Sequence, residues 1–319
     1  MAKIYIADLK KNRGEELNTL LAVKQINEAS GRTGKKYLKL TVFDKSGEID
    51  ARAFESYESW LNFLEIGGIY SFLVRAESYN NQEYLKVSRI SPVKDFEIED
   101  FLPVSSHDYI TVLAEVKELL GLIRNPHLRR LIDLVLSDTD LISKFERWPA
   151  AKEWHHAYLH GLLVHTASVM RHSRRIAEDY GLDSDLLLTG SFLHDIGKIE
   201  EYEFRGALID FSTRGRLLGH IVIGSMMLEQ MIAKIPDFPK ELANALTHLI
   251  VSHHGNHEWG SPKLPKFKEA MVLFLSDYLD SQLAGIDKLY QQNQGRDWTD
   301  FNKFLERYIY IYKENREGN

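Results

Sequence analysis

The strongest constraint on this 319-residue chain is that its hydrophobic period changes once and does not change back. Up to about residue 93 apolar residues recur at every second position. In residues 37–43 (YLKLTVF), for example, Leu38, Leu40 and Val42 alternate with Tyr37, Lys39, Thr41 and Phe43, the period of a half-buried strand. From Tyr109 onward the spacing is three and four, with Ile110, Leu113, Val116, Leu119 and Leu120 recurring as on one face of a helix. The chain is therefore predicted to be multidomain, with a β domain at 1–93 followed by an all-α domain at 109–319. Residues 94–108 (KDFEIEDFLPVSSHD) break both patterns and carry a proline and a serine pair, so they read as the linker.

Within the β region strands are expected at 22–27, 37–43, 48–54, 70–77 and 83–90. A turn at 44–47 uses Gly47, another uses Asn80 and Asn81, and a helix at 57–64 separates the third strand from the fourth. That order resembles an OB-fold barrel. The resemblance implies binding of single-stranded RNA or DNA, with bases stacked on aromatics and phosphates met by Lys and Arg. Tyr37, Lys39, Phe43, Arg52, Phe54, Tyr79 and Lys86 are the candidate contacts; the competing reading is that several of these aromatics fill the barrel. In the second domain helices are expected at about 126–145, 160–180, 184–196, 217–234, 238–254, 267–290 and 298–315, and strand signals do not return.

Composition narrows the chemistry. There is no cysteine, which excludes disulfides, thiolate metal sites and cysteine nucleophiles. The net charge of −6 argues against a protein that coats duplex nucleic acid, although residues 1–93 carry 14 Lys and Arg against 12 Asp and Glu. Histidine is uneven, because 11 of the 13 lie between His155 and His257. No signal-peptide pattern and no apolar run of about 18 residues is present, so no membrane association and a cytoplasmic location are expected.

The histidines occupy unusual places. His165 sits in the apolar run GLLVHTASVM, and His194 and Asp195 end the apolar helix LLLTGSFLHDIGK, where Gly197 suits a helix C-terminus and frees Lys198 to reach a phosphate. His220 lies in LLGHIVIGSMML, His253 and His254 close HLIVSHHG, and Asp277 stands in AMVLFLSDYLD. Each polar group on an otherwise buried helix would cost several kcal/mol unless paired. A shared metal centre explains them together. Arg205, Arg214 and Arg216 fall in a polar insertion at 200–218, as candidate phosphate contacts or as a solvated loop. Trp259 and Pro262 are candidates for a wall of the site, and the stripe Phe304, Tyr308 and Tyr312 suggests core or a subunit contact, hence a possible homo-oligomer.

The pattern H…HD…H…HH…D resembles the HD-domain metal-dependent phosphohydrolases. Carried over to this chain, the resemblance assigns His165, His194, Asp195 and Asp277 to a first divalent ion and makes Asp195 the bridge to a second. It gives that second ion His220, His253 and His254, and gives Lys198 a catalytic contact with the phosphate or leaving group. With RLLGH and the string SHHGNHEWGSPKLPKFKEA, the whole chain is similar to the YhaM-type 3′→5′ exoribonucleases of bacteria, and His155 and His156 match a histidine pair there with a substrate-side or supporting role. The resemblance implies release of nucleoside 5′-monophosphates by attack of a metal-activated hydroxide. The cofactors expected are two divalent metal ions, Mn2+ first, with Fe, Co2+ or Mg2+ also suited to a set without sulfur. Two other readings stand beside it: a phosphohydrolase of free nucleotides or cyclic dinucleotides, and a non-catalytic nucleic-acid-binding protein with a structural metal.

Overall fold

The computed structural model describes residues 3–31, 34–55, 57–102, 108–152 and 156–312. They divide into two compact units, Met1–Val104 with Glu203–Asp210, and Ser105–Tyr202 with Phe211–Asn319.

The first unit opens with a single helical turn, α1 (Ile6–Leu9), and continues through β1 (Glu16–Ser30), β2 (Lys36–Asp44), β3 (Gly47–Ala53), β4 (Ile69–Tyr79) and β5 (Gln82–Pro92). The strands close into a barrel in the order β1-β2-β3-β5-β4, antiparallel throughout except between β3 and β5. This is the OB-fold barrel. The two-residue period does the sorting: Leu38, Leu40, Val42, Ala51, Phe72, Val74 and Leu85 are wholly buried inside. The expected helix at 57–64 is only a 3-10 turn, Trp60–Asn62. Eight residues, with no side chain capping the N-terminus of that turn, are too few to sustain an isolated helix.

The second unit is helical: α2 (Tyr109–Gly121), α3 (Pro126–Ser137), α4 (Thr139–Arg147), α5 (Gly161–Tyr180), α6 (Ser184–Leu193) and α7 (Lys198–Glu201) come first. A short hairpin follows, β6 (Tyr202–Arg205) and β7 (Leu208–Phe211), and then α8 (Thr213–Ile232), α9 (Lys240–Ser252) and α10 (Lys268–Gln292). Among the described residues no helix is long and apolar enough to cross a membrane. Helices α5 and α6 run through the core, and Leu162, Leu163, Val169, Met170 and Leu187 are wholly enclosed. Each such side chain contributes about 1.5–3 kcal/mol by leaving water.

Three expectations need correction here. The helix at 126–145 is two, because Asp138 ends α3 and its carboxylate accepts from Leu141 N (3.0 Å) to start α4. Strands do return: the insertion at 200–218 contains the hairpin, whose four-residue strands are too short to show a period. Its residues 203–210 group with the barrel, where Ala207 N donates to Gly67 O (2.9 Å) and Ala207 joins Ala22, Ile69 and Phe101 in one buried cluster. Residues 298–312 form no helix but an irregular arm with bridges Trp298↔Tyr310 and Asn302↔Arg307. Asn302 Oδ1 captures Phe304 N and Leu305 N, and Thr299 Oγ1 captures Ile309 N, so local side chains take the N–H groups that a helix would need.

Candidate metal centre

Five helices of the second unit deliver polar side chains to one buried point. Helix α5 brings His165, the end of α6 brings His194 and Asp195, α8 brings His220, the end of α9 brings His253 and His254, and α10 brings Asp277. Asp195 is the hub. Its Oδ2 lies 3.4 Å from His165 Nε2 and 3.3 Å from His194 Nε2. Its Oδ1 faces His220 Nε2 at 3.5 Å and His253 Nε2 at 3.6 Å. Two donor groups result, His165 with His194 and Asp277, and His220 with His253 and His254; within each the donor atoms lie within 4.8 Å of one another.

The far side of each imidazole fixes which nitrogen faces inward. His194 Nδ1 donates to Ser191 O (2.7 Å), His253 Nδ1 to Ile250 O (2.7 Å) and His254 Nδ1 to Trp259 O (2.9 Å). A carbonyl only accepts, so each of these rings keeps its proton on Nδ1 and turns a bare Nε2 toward the centre. His165 Nδ1 meets Asp280 Oδ2 (2.7 Å) and His220 Nδ1 meets Glu201 Oε1 (3.0 Å), with the same consequence.

This set fits a divalent cation. Asp195 Oδ1, His220 Nε2 and His253 Nε2 are buried and have no hydrogen-bond partner among the described residues, and His165 Nε2 approaches His194 Nε2 to 3.1 Å. Two ring nitrogens that close need a positive charge between them, which a proton on His165 or a cation supplies. Burial lowers the pKa of His165, but Asp195, Asp277 and Asp280 around it outweigh burial and raise it well above the ordinary value. Asp195 shows the converse: burial pushes its pKa up, and Lys198 with His194 and His165 carries it well below the carboxylate range. His254 is pulled down to about 3 by burial and then by His253 and His220, so it is a neutral donor. The carboxylates around His165 thus favour positive charge at that point.

Two glycines make the convergence possible. Gly197 has ordinary helical angles (φ −64°, ψ −18°), which corrects the expectation of a helix-ending conformation. A Cβ there would lie 2.1 Å from His220 O, so glycine is needed for backbone contact between the α6–α7 segment and α8. Gly219 (φ 71°, ψ 157°) kinks α8 in a conformation open essentially to glycine alone. The kink releases His220 N from the helical ladder, and that N–H donates to Glu201 Oε1 (2.9 Å).

An HD domain model matches residues 162–282, a span that contains all seven of these side chains, and a domain of this kind is divalent-metal-dependent. The chain is 30% identical to the 3′-5′ exoribonuclease YhaM of Bacillus subtilis over 291 residues, covering 90% of this chain and 91% of that one. The chain belongs to the YhaM family. The family's protein in Shouchella clausii is 34% identical over 88% of both chains, and that of Listeria innocua 30% identical over 86% of this chain and 88% of its own.

The other residues singled out in this YhaM-family sequence are placed as follows. His155 lies outside the described residues. His156 is buried and directed at Asp280 Oδ2 (2.8 Å) and Tyr158 Oη (2.6 Å), behind His165 and not open to a substrate. Lys198 Nζ is turned onto Asp195 Oδ2 at 2.6 Å. Arg214 pairs with Glu200 (2.5 Å). The carbonyl of Trp259 supports His254, and its ring stacks on Tyr278 at 5.2 Å with planes 2° apart, beside the centre.

On the barrel, Tyr37 and Phe54 lean together at 5.2 Å, while Phe43 packs on the cluster of Ala22, Ile69, Phe101 and Ala207 and so belongs partly to the barrel's own packing. Lys39 pairs in register with Arg52, Arg52 with Lys86, and Lys86 with Arg75. Directly paired residues share a face, so these four form one outward basic row across β2, β3, β5 and β4. Arg52 lies 4.5 Å over the Tyr84 ring, and Asp50 offsets Lys39 at 3.1 Å.

Sequence reading missed Arg75, Glu201 and Asp280. Arg75 needed the register; Asp280 was signalled by DYLD, one turn beyond Asp277, and Glu201 by KIEE, one turn beyond Lys198.

Proposed function

We propose that this chain is a metal-dependent 3′→5′ exonuclease that hydrolyses single-stranded RNA, and single-stranded DNA by the same chemistry, to nucleoside 5′-monophosphates. The carrying observation is that the two oxygens of Asp195 face two separate donor groups, one around His165, His194 and Asp277 and one around His220, His253 and His254. In this reading Asp195, together with these two groups, would hold two divalent ions. When bound, such ions supply Lewis-acid stabilisation of phosphoryl oxygens and lower the pKa of water. The protein's own part is to hold bare Nε2 atoms in place, to keep bulk water away by burial, and to place Lys198 where its ammonium meets negative charge at Asp195 and the phosphate. Manganese is the proposed ion, with iron, cobalt and magnesium as alternatives acceptable to nitrogen and oxygen donors. The readings as a free-nucleotide hydrolase or a non-catalytic binder are not favoured by membership of an exoribonuclease family.

The test is direct. Protein stripped with EDTA and reloaded with Mn2+ is expected to shorten a 5′-labelled oligoribonucleotide to a ladder that keeps its label, and the stripped protein to do nothing. Release of the label in the first products, or no shortening with any of these metals, would sink the reading.

The barrel supports the choice of a polymeric substrate. Lys39, Arg52, Lys86 and Arg75 are proposed to follow the phosphates, with Tyr37 and Phe54 beside them for stacking. Replacing the four by alanine is expected to weaken binding of single-stranded RNA and to flatten the plot of log affinity against log salt by about 0.7 for each phosphate no longer neutralised. Fluorescence anisotropy across a salt series reads this, and an unchanged slope would remove the row from the binding surface. The exposed aromatics Phe304, Tyr308 and Tyr312 are the proposed contact with a second copy of the chain, and the cytoplasm, where the RNA is, the proposed location.

A further inference from the structure

Behind the two donor groups stand two carboxylates that belong to neither. Asp280 Oδ2 accepts from His165 Nδ1 (2.7 Å) and from His156 Nε2 (2.8 Å), and His156 Nδ1 in turn meets Tyr158 Oη (2.6 Å). This series of groups is buried from end to end except at Tyr158, which is half-buried. His156, His165 and Asp280 lie close enough to suggest a third cation site, but the nitrogens that approach Asp280 are already engaged with its Oδ2, so the group is a hydrogen-bonded relay. On the opposite side Glu201 Oε1 accepts from both His220 N (2.9 Å) and His220 Nδ1 (3.0 Å). The kink at Gly219 makes that double grip possible.

The remaining three histidines are held by neutral carbonyls. Each donor group therefore contains one imidazole backed by a full negative charge, His165 in one and His220 in the other. A carboxylate behind an imidazole orients the ring and strengthens it as a donor. We propose that Asp280 and Glu201 are positioning residues, each setting the affinity of one half of the centre for its ion; this rests on the two-ion reading above. The halves are not equivalent. The His165 group has its own carboxylate in Asp277, whereas among the described residues the His220 group has only its share of Asp195. Glu201 therefore matters more to its half than Asp280 does to the other.

The experiment is Mn2+ titration of metal-free protein by calorimetry, with ion content by mass spectrometry. Wild type is expected to bind two ions. Glu201→Gln is expected to keep one at wild-type affinity and to bind the other about 100-fold more weakly, and Asp280→Asn to weaken one ion about tenfold. Electron paramagnetic resonance gives a readout independent of activity: with two equivalents of Mn2+ per chain the Glu201→Gln protein is expected to show an isolated ion where wild type shows a coupled pair. Glu201→Asp and Asp280→Glu, which keep the charge at a shifted distance, are expected to lie between, and they replace the amide variants if either fails to fold. A merely structural role would lower the melting temperature of the metal-free protein and leave both affinities alone. If wild type binds no ion, the two-ion reading falls and this inference with it. If wild type binds two and the variants bind both equally well, only the positioning role is overturned.

Discussion

Asp195→Asn protein is expected to fold, to bind RNA and to leave it intact, with turnover down by at least about a thousandfold. The substitution preserves shape and removes one donor. Lys198 Nζ, 2.6 Å from Oδ2, selects the amide oxygen for its own side, so the amide NH2 is left facing His220 Nε2 and His253 Nε2, which lay 3.5 and 3.6 Å from Oδ1. An NH2 donates to those bare nitrogens and occupies them. Bound Mn2+ should fall from two ions per chain to at most one. Metal content, anisotropy with labelled RNA and a turnover assay on one preparation check the three statements together, and wild-type turnover would remove Asp195 from the mechanism.

The second large effect is on the packing that brings His220 into place. Gly197→Ala adds a Cβ 2.1 Å from His220 O and 2.7 Å from Gly224 N, and both are backbone atoms that cannot swing aside. Helix α8 must move by about an ångström, at a cost on the order of 3 kcal/mol, or roughly 10 °C of melting temperature for a unit of this size. Because α8 carries His220, the folded fraction should also lose activity, by about a hundredfold for a displacement of that size. Gly224→Ala is the control. Its Cβ meets nothing closer than Gly197 N at 3.4 Å, so its stability should change little. Melting curves and turnover at 20 °C for both variants decide the matter; equal behaviour would show that the crossing is looser than 2.1 Å implies.

Much of the architecture was legible in the residues themselves. Alternation set Leu38, Leu40 and Val42 on one face of a strand, because a strand has only two faces, and the structure shows that face to be the inside of the barrel. The failures have local causes. A spacing of four at Phe304, Tyr308 and Tyr312 suggested a helix, but Thr299 and Asn302 take its N–H groups. The hairpin at 202–211 was too short to announce itself, and Gly197 was read for its conformation when its lack of a side chain was what counted.

The amino-acid sequence by itself determined the fold class, one change of period dividing strands from helices, and it singled out the seven polar side chains that meet at Asp195. It did so because each interrupts an apolar helix, a local cost visible without any neighbour. Only the tertiary structure decided how the seven divide into two groups, which nitrogen each histidine presents, and that Glu201 and Asp280 stand behind them. Those are properties of contacts across long stretches of chain, such as the 115 residues between His165 and Asp280, and no periodicity reaches so far.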